Sequence, residues 1–173
     1  MRNQLIAAAL LCAATTAWAH GPTRQKVAES VAIAAPPESV WSRVKDFDAL
    51  QTWHPAVASA ETTAGNQTGS LRTLHLEGGG TIVEELTRYS AEDHSFAYRM
   101  KDPGPVPVSN YSAILSVHPG DGGTTIVEWR GAFYRGDPNN NPVPERNDDA
   151  AIAAVTGIYQ AGLANLKKLV EGK

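Results

Sequence analysis

Cysteine is the scarcest reactive group in this 173-residue sequence: there is one, Cys12, and it lies within the first nineteen positions. Those positions read as an export leader. Arg2 supplies the basic start, Leu5 to Ala14 the apolar stretch, and Ala17-Trp18-Ala19 a small-residue cleavage motif. Cleavage expected after Ala19 leaves a chain with no cysteine. That excludes a disulfide staple, a thiol nucleophile, Cys-ligated zinc and an iron–sulfur cluster. Export without disulfides points to a bacterial periplasm. Long apolar runs are also missing, since Leu5 to Ala14 is too short to span a bilayer. Positive charge is in short supply. Lys and Arg number 15 against 18 acids, for a net charge of −3, and losing Arg2 takes this to about −4. With no basic stripe, nucleic acid and anionic membrane are unsuited partners. The five histidines include no His-x-x-x-His pair, and no Gly-x-Ser-x-Gly elbow or phosphate-cradling loop occurs. A histidine at a new N-terminus, as His20 would be, can chelate copper, but no second histidine is spaced to strengthen such a site. The sequence therefore asks for no metal and no cofactor.

What is present is one long amphipathic helix at the end of the chain. Asn147 is placed to cap it, Asp148 and Asp149 suit its positive end, and Lys167, Lys168 and Gly172 mark its close. Ile152, Val155, Tyr159, Leu166 and Val170 recur at helical spacing, and Ile158, Leu163 and Leu169 widen the stripe. Gly157 and Gly162 interrupt it at about 1 kcal/mol each, tolerable where something must come close.

Ahead of that helix the period is two. Residues 20–26 form a polar lead-in, and residues 27–173 are long enough for a single domain with a sizeable core. Val27 to Ala34 reads as a first strand. Pro36-Pro37-Glu38 opens a helix, and Asp48 is placed to cap a second short one, Ala49 to Trp53, which stops at His54-Pro55. Six strands follow: Val57–Thr63, Ser70–Glu77, Thr81–Ser90, Ser95–Lys101, Ser109–His118 and Thr124–Arg135. Glycine-rich turns such as Gly78-Gly79-Gly80 separate them, which implies an antiparallel meander. The order, one strand, two short helices, six strands and a long helix, predicts an α+β fold. A curved antiparallel sheet of about seven strands wraps the last helix.

Particular residues sharpen this. Ala35-Pro36-Pro37-Glu38-Ser39-Val40-Trp41, Asp46-Phe47-Asp48-Ala49-Leu50 and Trp53-His54-Pro55 resemble the opening of SRPBCC proteins. This is the START and birch-pollen-allergen superfamily, with its polyketide cyclase/dehydrase-like domains and abscisic-acid receptors. Glu84-Glu85-Leu86, Ser109-Asn110-Tyr111 and Val127 to Phe133 add to the likeness, which covers roughly residues 26–170. The resemblance implies a helix-grip fold. It is nearest the MxaD-like periplasmic proteins of methanol oxidation, through His20-Gly21-Pro22-Thr23, Pro107 to Tyr111, Gly131 to Gly136 and Ala154 to Tyr159. That likeness implies a helper of a periplasmic dehydrogenase and its cytochrome partner.

Strand parity then sorts candidate pocket residues. Val127, Trp129, Gly131 and Phe133 share one face of the last strand, and Tyr111 and Tyr98 point the same way. Arg72 and Leu74 share a face. Parity groups Ile82, Glu84, Leu86 and Arg88 on one face of the strand at Thr81–Ser90, against Val83, Glu85, Thr87 and Tyr89, and leaves ambiguous which face is inward. The resemblance turns Glu84 and Leu86 inward, since the matching acid of related receptors faces a cavity. The candidate wall is thus Trp53, Arg72, Leu74, Glu84, Tyr98, Tyr111, Trp129, Phe133, Val155, Ile158 and Tyr159. A mostly apolar cavity with few polar groups suits a small hydrophobic or amphipathic ligand. The same residues also permit a filled core in which Arg72 pairs with Glu84 and the tyrosine hydroxyls satisfy one another. Three roles follow: a non-catalytic accessory protein, a carrier of a small molecule, or a cyclase or dehydratase. The last would use Glu84 or His54 as base and Tyr111 or Arg72 to stabilise developing charge.

Overall fold

The computed structural model describes residues 21–172; the expected leader, its cleavage site and His20 lie outside them. Alternating side chains build seven strands: β1 (Gln25–Ile33), β2 (Val57–Thr62), β3 (Leu71–Leu76), β4 (Thr81–Ser90), β5 (Ser95–Asp102), β6 (Val108–Pro119) and β7 (Thr125–Arg135). They form one antiparallel sheet in the order β1-β7-β6-β5-β4-β3-β2. The meander from β2 to β7 pairs sequential neighbours, and β1 returns beside β7. Two short helical pieces bridge β1 and β2: α1 (Pro37–Val44) and a 3-10 turn at Leu50–Thr52. The chain closes with α2 (Asp148–Glu171), gripped by the curved sheet. Among the described residues, no helix is long and apolar enough to cross a membrane.

The ends of α2 follow from its capping residues. Asn147 Oδ1 accepts the Ala150 N–H at 2.8 Å, and Gly172, at φ +68°, turns the chain out of the helix. Its buried face is Ala151, Val155, Tyr159, Gly162, Leu163 and Leu166. The stripe is narrower than the sequence pattern, because Leu169 is exposed. Arg135 at the end of β7 reaches Asp148 at 2.9 Å and fixes the helix start against the sheet.

Three local expectations are corrected. β1 begins at Gln25 rather than Val27, because Gln25 and Lys26 continue the ladder opposite Phe133 and Ala132. Asp48 caps nothing, since the 3-10 turn starts from Ala49 with no side-chain cap. The turn is braced instead by Asn66, which accepts the Phe47 N–H at 2.8 Å and donates to Asp46 at 3.1 Å. In β4, strict alternation would turn Arg88 inward with Leu86. A bulge lies between Leu86 and Arg88, so Arg88 is exposed while Tyr89 packs tilted against Trp41 at 5.9 Å.

Candidate functional site

β3 and β4 are in register so that Arg72 stands directly opposite Glu84, on the side facing α2. Both residues are only 2% exposed. Arg72 donates from Nε (2.9 Å) and Nη2 (2.5 Å) to the same oxygen, Glu84 Oε2. Its Nη1 donates to the Phe47 carbonyl at 2.7 Å. The guanidinium lies over the Phe47 ring at 4.1 Å and near the Tyr98 ring at 5.2 Å. The charge is therefore compensated by one carboxylate, one carbonyl and two aromatic rings.

Beside this pair lies a cavity of about 100 Å³ between the sheet and α2. Leu74 and Leu76 of β3, Ile82 and Glu84 of β4, and Tyr98 and Met100 of β5 form one side. Tyr111 of β6 and Trp129 of β7 form the back, and Val155 and Ile158 of α2 the opposite side. Leu50, His54, Ala56, Val57 and the loop residue Val106 complete it. Of the residues expected from sequence, Leu74, Glu84, Tyr98, Tyr111, Trp129, Val155 and Ile158 meet in this wall. Trp53, Arg72, Phe133 and Tyr159 stand behind it. Trp53 packs on Trp129 at 5.6 Å, Phe133 stacks on Tyr111 at 6.1 Å, and Tyr159 stacks on Trp129 at 4.4 Å. Leu76 and Met100 were legible from parity with Leu74 and Tyr98, whereas Leu50 and Val106 lie outside any strand period. The cavity and the Arg72–Glu84 pair thus coexist, although the sequence presented them as alternatives.

The polar atoms of the wall are mostly spent within the protein. Trp129 Nε1 donates to the Tyr98 hydroxyl at 2.9 Å, that hydroxyl lies 3.5 Å from the one on Tyr111, and Tyr111 is bonded in turn to Tyr159. Burial pushes the pKa of all three tyrosines upward, so they remain neutral hydroxyls. His54 donates from Nε2 to the Ile158 carbonyl (2.9 Å) and accepts the Ala56 N–H on Nδ1 (3.2 Å). Both ring nitrogens are occupied, and burial lowers its pKa below the ordinary 6.5. The Ile158 bond opposes that shift and the charge of Arg72 adds to it. Glu84 Oε1 is the exception: among the described residues no donor reaches it.

A pH dependence follows from His54. The folded protein holds it neutral at a pH where the unfolded chain binds a proton, so unfolding takes up a proton there. The stability it supports is complete above pH ~6.5 and is lost as pH falls from there toward the lowered folded value. Urea unfolding between pH about 7.5 and about 5.5 should show this slope. In His54→Gln the slope should flatten, with lower stability at the upper end. A variant as steep as the parent would place the slope on other groups.

A larger hollow of about 400 Å³ opens on the other side of the sheet, where Ala28, Ala97, Ser112 and Ala132 leave space between Lys26 and Arg130. It is a shallow trough of short side chains and holds no buried polar pair. Among the described residues no group of three His, Cys, Asp or Glu is placed to hold a metal ion.

Residues 24–171 match the model of the family described as polyketide cyclase / dehydrase and lipid transport. The chain is similar to the abscisic acid receptor PYL7 of Arabidopsis thaliana, at 32% identity over 103 residues, 56% of this chain and 48% of the receptor. It thus spans about half the length of that curated relative. Among solved structures it is similar to the protein XoxI from Bacillus cereus, with 30% identity and a TM-score of 0.72 over 84% of this chain and 95% of that one. It is also similar to an aromatase/cyclase from a Streptomyces species, with a TM-score of 0.68 over 86% of this chain and 94% of the other. At 19% identity, that second likeness bears on the fold alone.

Proposed function

The chain belongs to the polyketide cyclase/dehydrase and lipid transport family, and from that premise we propose that it holds one small, mostly apolar molecule between sheet and α2 without transforming it. The observation that carries this reading is the apolar cavity with one carboxylate oxygen in its wall, Glu84 Oε1, that no donor among the described residues reaches. Such a wall positions a ligand by shape and one hydrogen bond. A cyclase or dehydratase needs a base free to take a proton and a group free to stabilise negative charge. Here Glu84 Oε1 is a free candidate base, but neither candidate for stabilising developing charge is free beside it. Arg72 is bound to Glu84 and Phe47, and Tyr111 is bonded to Tyr159, while the other candidate base, His54, has both nitrogens bonded to backbone. Those commitments favour binding over catalysis.

Ile158→Phe tests the reading, because Ile158 lines the cavity from α2 and only its backbone carbonyl is used elsewhere. Native mass spectrometry of gently purified parent protein should show extra mass that denaturation releases. The variant should retain its melting temperature and lose that mass. Retention of the same adduct by the variant would move the binding site elsewhere.

A second role is compatible with the first. The likeness to XoxI, which spans nearly all of that protein, supports the MxaD-like resemblance and hence an accessory role beside a periplasmic dehydrogenase and its cytochrome. The leader motif at residues 1–19 supports export to the same compartment. Periplasmic extract lacking this protein should reduce cytochrome more slowly with methanol, and re-addition should restore the rate. No change on re-addition would remove the dehydrogenase from the reading.

A further inference from the structure

We propose that the molecule this cavity accepts is a small neutral hydrogen-bond donor, an alcohol in class, seated with its O–H on Glu84 Oε1, and that the cavity rejects carboxylic acids. The inference rests on the cavity being a binding site. An acid needs a cation or several free N–H and O–H donors, and the wall offers no cation and at most one hydroxyl proton. Arg72, the nearest cation, is not in the wall and is committed to Glu84 Oε2 and the Phe47 carbonyl. The Trp129 N–H is given to Tyr98, and the three hydroxyl protons of Tyr98, Tyr111 and Tyr159 share two contacts, which leaves one of them at most for a ligand. The His54 N–H is given to Ile158. Trp53 Nε1 is buried without an acceptor, but its ring is not part of the wall.

What remains is an acceptor. Oε1 belongs to a carboxylate whose other oxygen takes both guanidinium bonds, so one end of the cavity offers lone pairs to an incoming O–H. A second carboxylate brought against it would face a like charge, with little water to screen the two. An ammonium would bring three N–H donors to a wall that offers its charge one free carboxylate oxygen and is otherwise apolar. A neutral O–H meets neither objection. Size narrows the class further. A dry cavity of ~150 Å³ takes up benzene, so this volume of about 100 Å³ suits a molecule of about four non-hydrogen atoms.

The test uses the purified protein and three probes, xenon, 1-propanol and propionate, followed by NMR shifts of the Leu74, Ile82 and Val155 methyls. Xenon and 1-propanol should both move these methyls, with 1-propanol bound at least ~10-fold more tightly than propionate. In the double variant R72M/E84M, xenon should still enter and the affinity for 1-propanol should drop ~10-fold. Propionate binding as tightly as 1-propanol, with xenon also entering, would overturn the donor preference and leave the cavity reading standing. Exclusion of all three probes would overturn the cavity reading itself. The parent-protein comparison decides the proposal even where the double variant does not fold.

Discussion

Replacing Arg72 by Met should destabilise the protein by about 3–5 kcal/mol, the largest effect expected of any single substitution in this fold. The change leaves Glu84 as an unpaired charge in a site where both residues are only 2% exposed. Removing Arg72 also deprives the Phe47 carbonyl of its donor, at 2.7 Å in the parent. The double variant R72M/E84M separates these contributions. A buried ion pair replaced by apolar side chains of similar length is often neutral or stabilising. The double variant should therefore recover all but the about 1–3 kcal/mol that belongs to the orphaned carbonyl. Urea unfolding followed by tryptophan fluorescence measures Arg72→Met, Glu84→Met and the double variant, and the cycle gives the coupling between the two side chains. If Arg72→Met and the double variant are equally unstable, the pair contributes nothing as a pair. Its role would then lie wholly in the bond from Arg72 to Phe47.

The same two residues show how far sequence carries toward such a site. Their strands were readable because period-two alternation and glycine-rich turns mark both β3 and β4, and α2 was readable because its caps and stripe agree. The facing of Arg72 and Glu84 depends on hairpin register, which the Gly78-Gly79-Gly80 turn sets without advertising it in composition. Depth was less accessible than direction. Phe133 and Tyr159 point toward the interior as strand parity and the helical stripe require, yet both are fully buried behind Tyr111 and Trp129. Parity assigns a face; the curvature of the sheet decides which residues on that face reach open space. The bulge after Leu86 was hidden for a related reason. It adds one residue to a strand without a change of residue type, so Arg88 and Tyr89 exchange faces unannounced. Val106 joins the wall from a loop, where no period exists to read.

The two glycines inside α2 should respond in opposite senses to the same substitution, and this tests the packing of the site most directly. Gly157 faces open space, with nothing within 4 Å of a Cβ built there. Gly157→Ala should therefore stabilise the protein by about 1 kcal/mol through helix propensity alone. At Gly162 the added carbon would lie 2.6 Å from His54 Cδ2 and 3.1 Å from ring carbons of both Trp53 and Trp129. None of these neighbours is a flexible end that can swing away. His54 is held through both ring nitrogens, and Trp129 through Nε1 and the stack on Tyr159. Overpacking of this kind costs about 1–3 kcal/mol. With three rigid rings in contact the upper end applies, and the propensity gain of about 1 kcal/mol offsets part of it. The net expectation for Gly162→Ala is a loss of about 2 kcal/mol, or a melting temperature lower by roughly 4–8 °C, against a rise of roughly 2–4 °C for Gly157→Ala. His54 and Trp129 also line the cavity, so the methyl signals of Leu74 and Val155 should shift in Gly162→Ala and stay in place in Gly157→Ala. Equal melting temperatures for the two variants would mean that the three rings yield without cost. The close approach of α2 to the sheet at Gly162 would then not be what shapes the cavity.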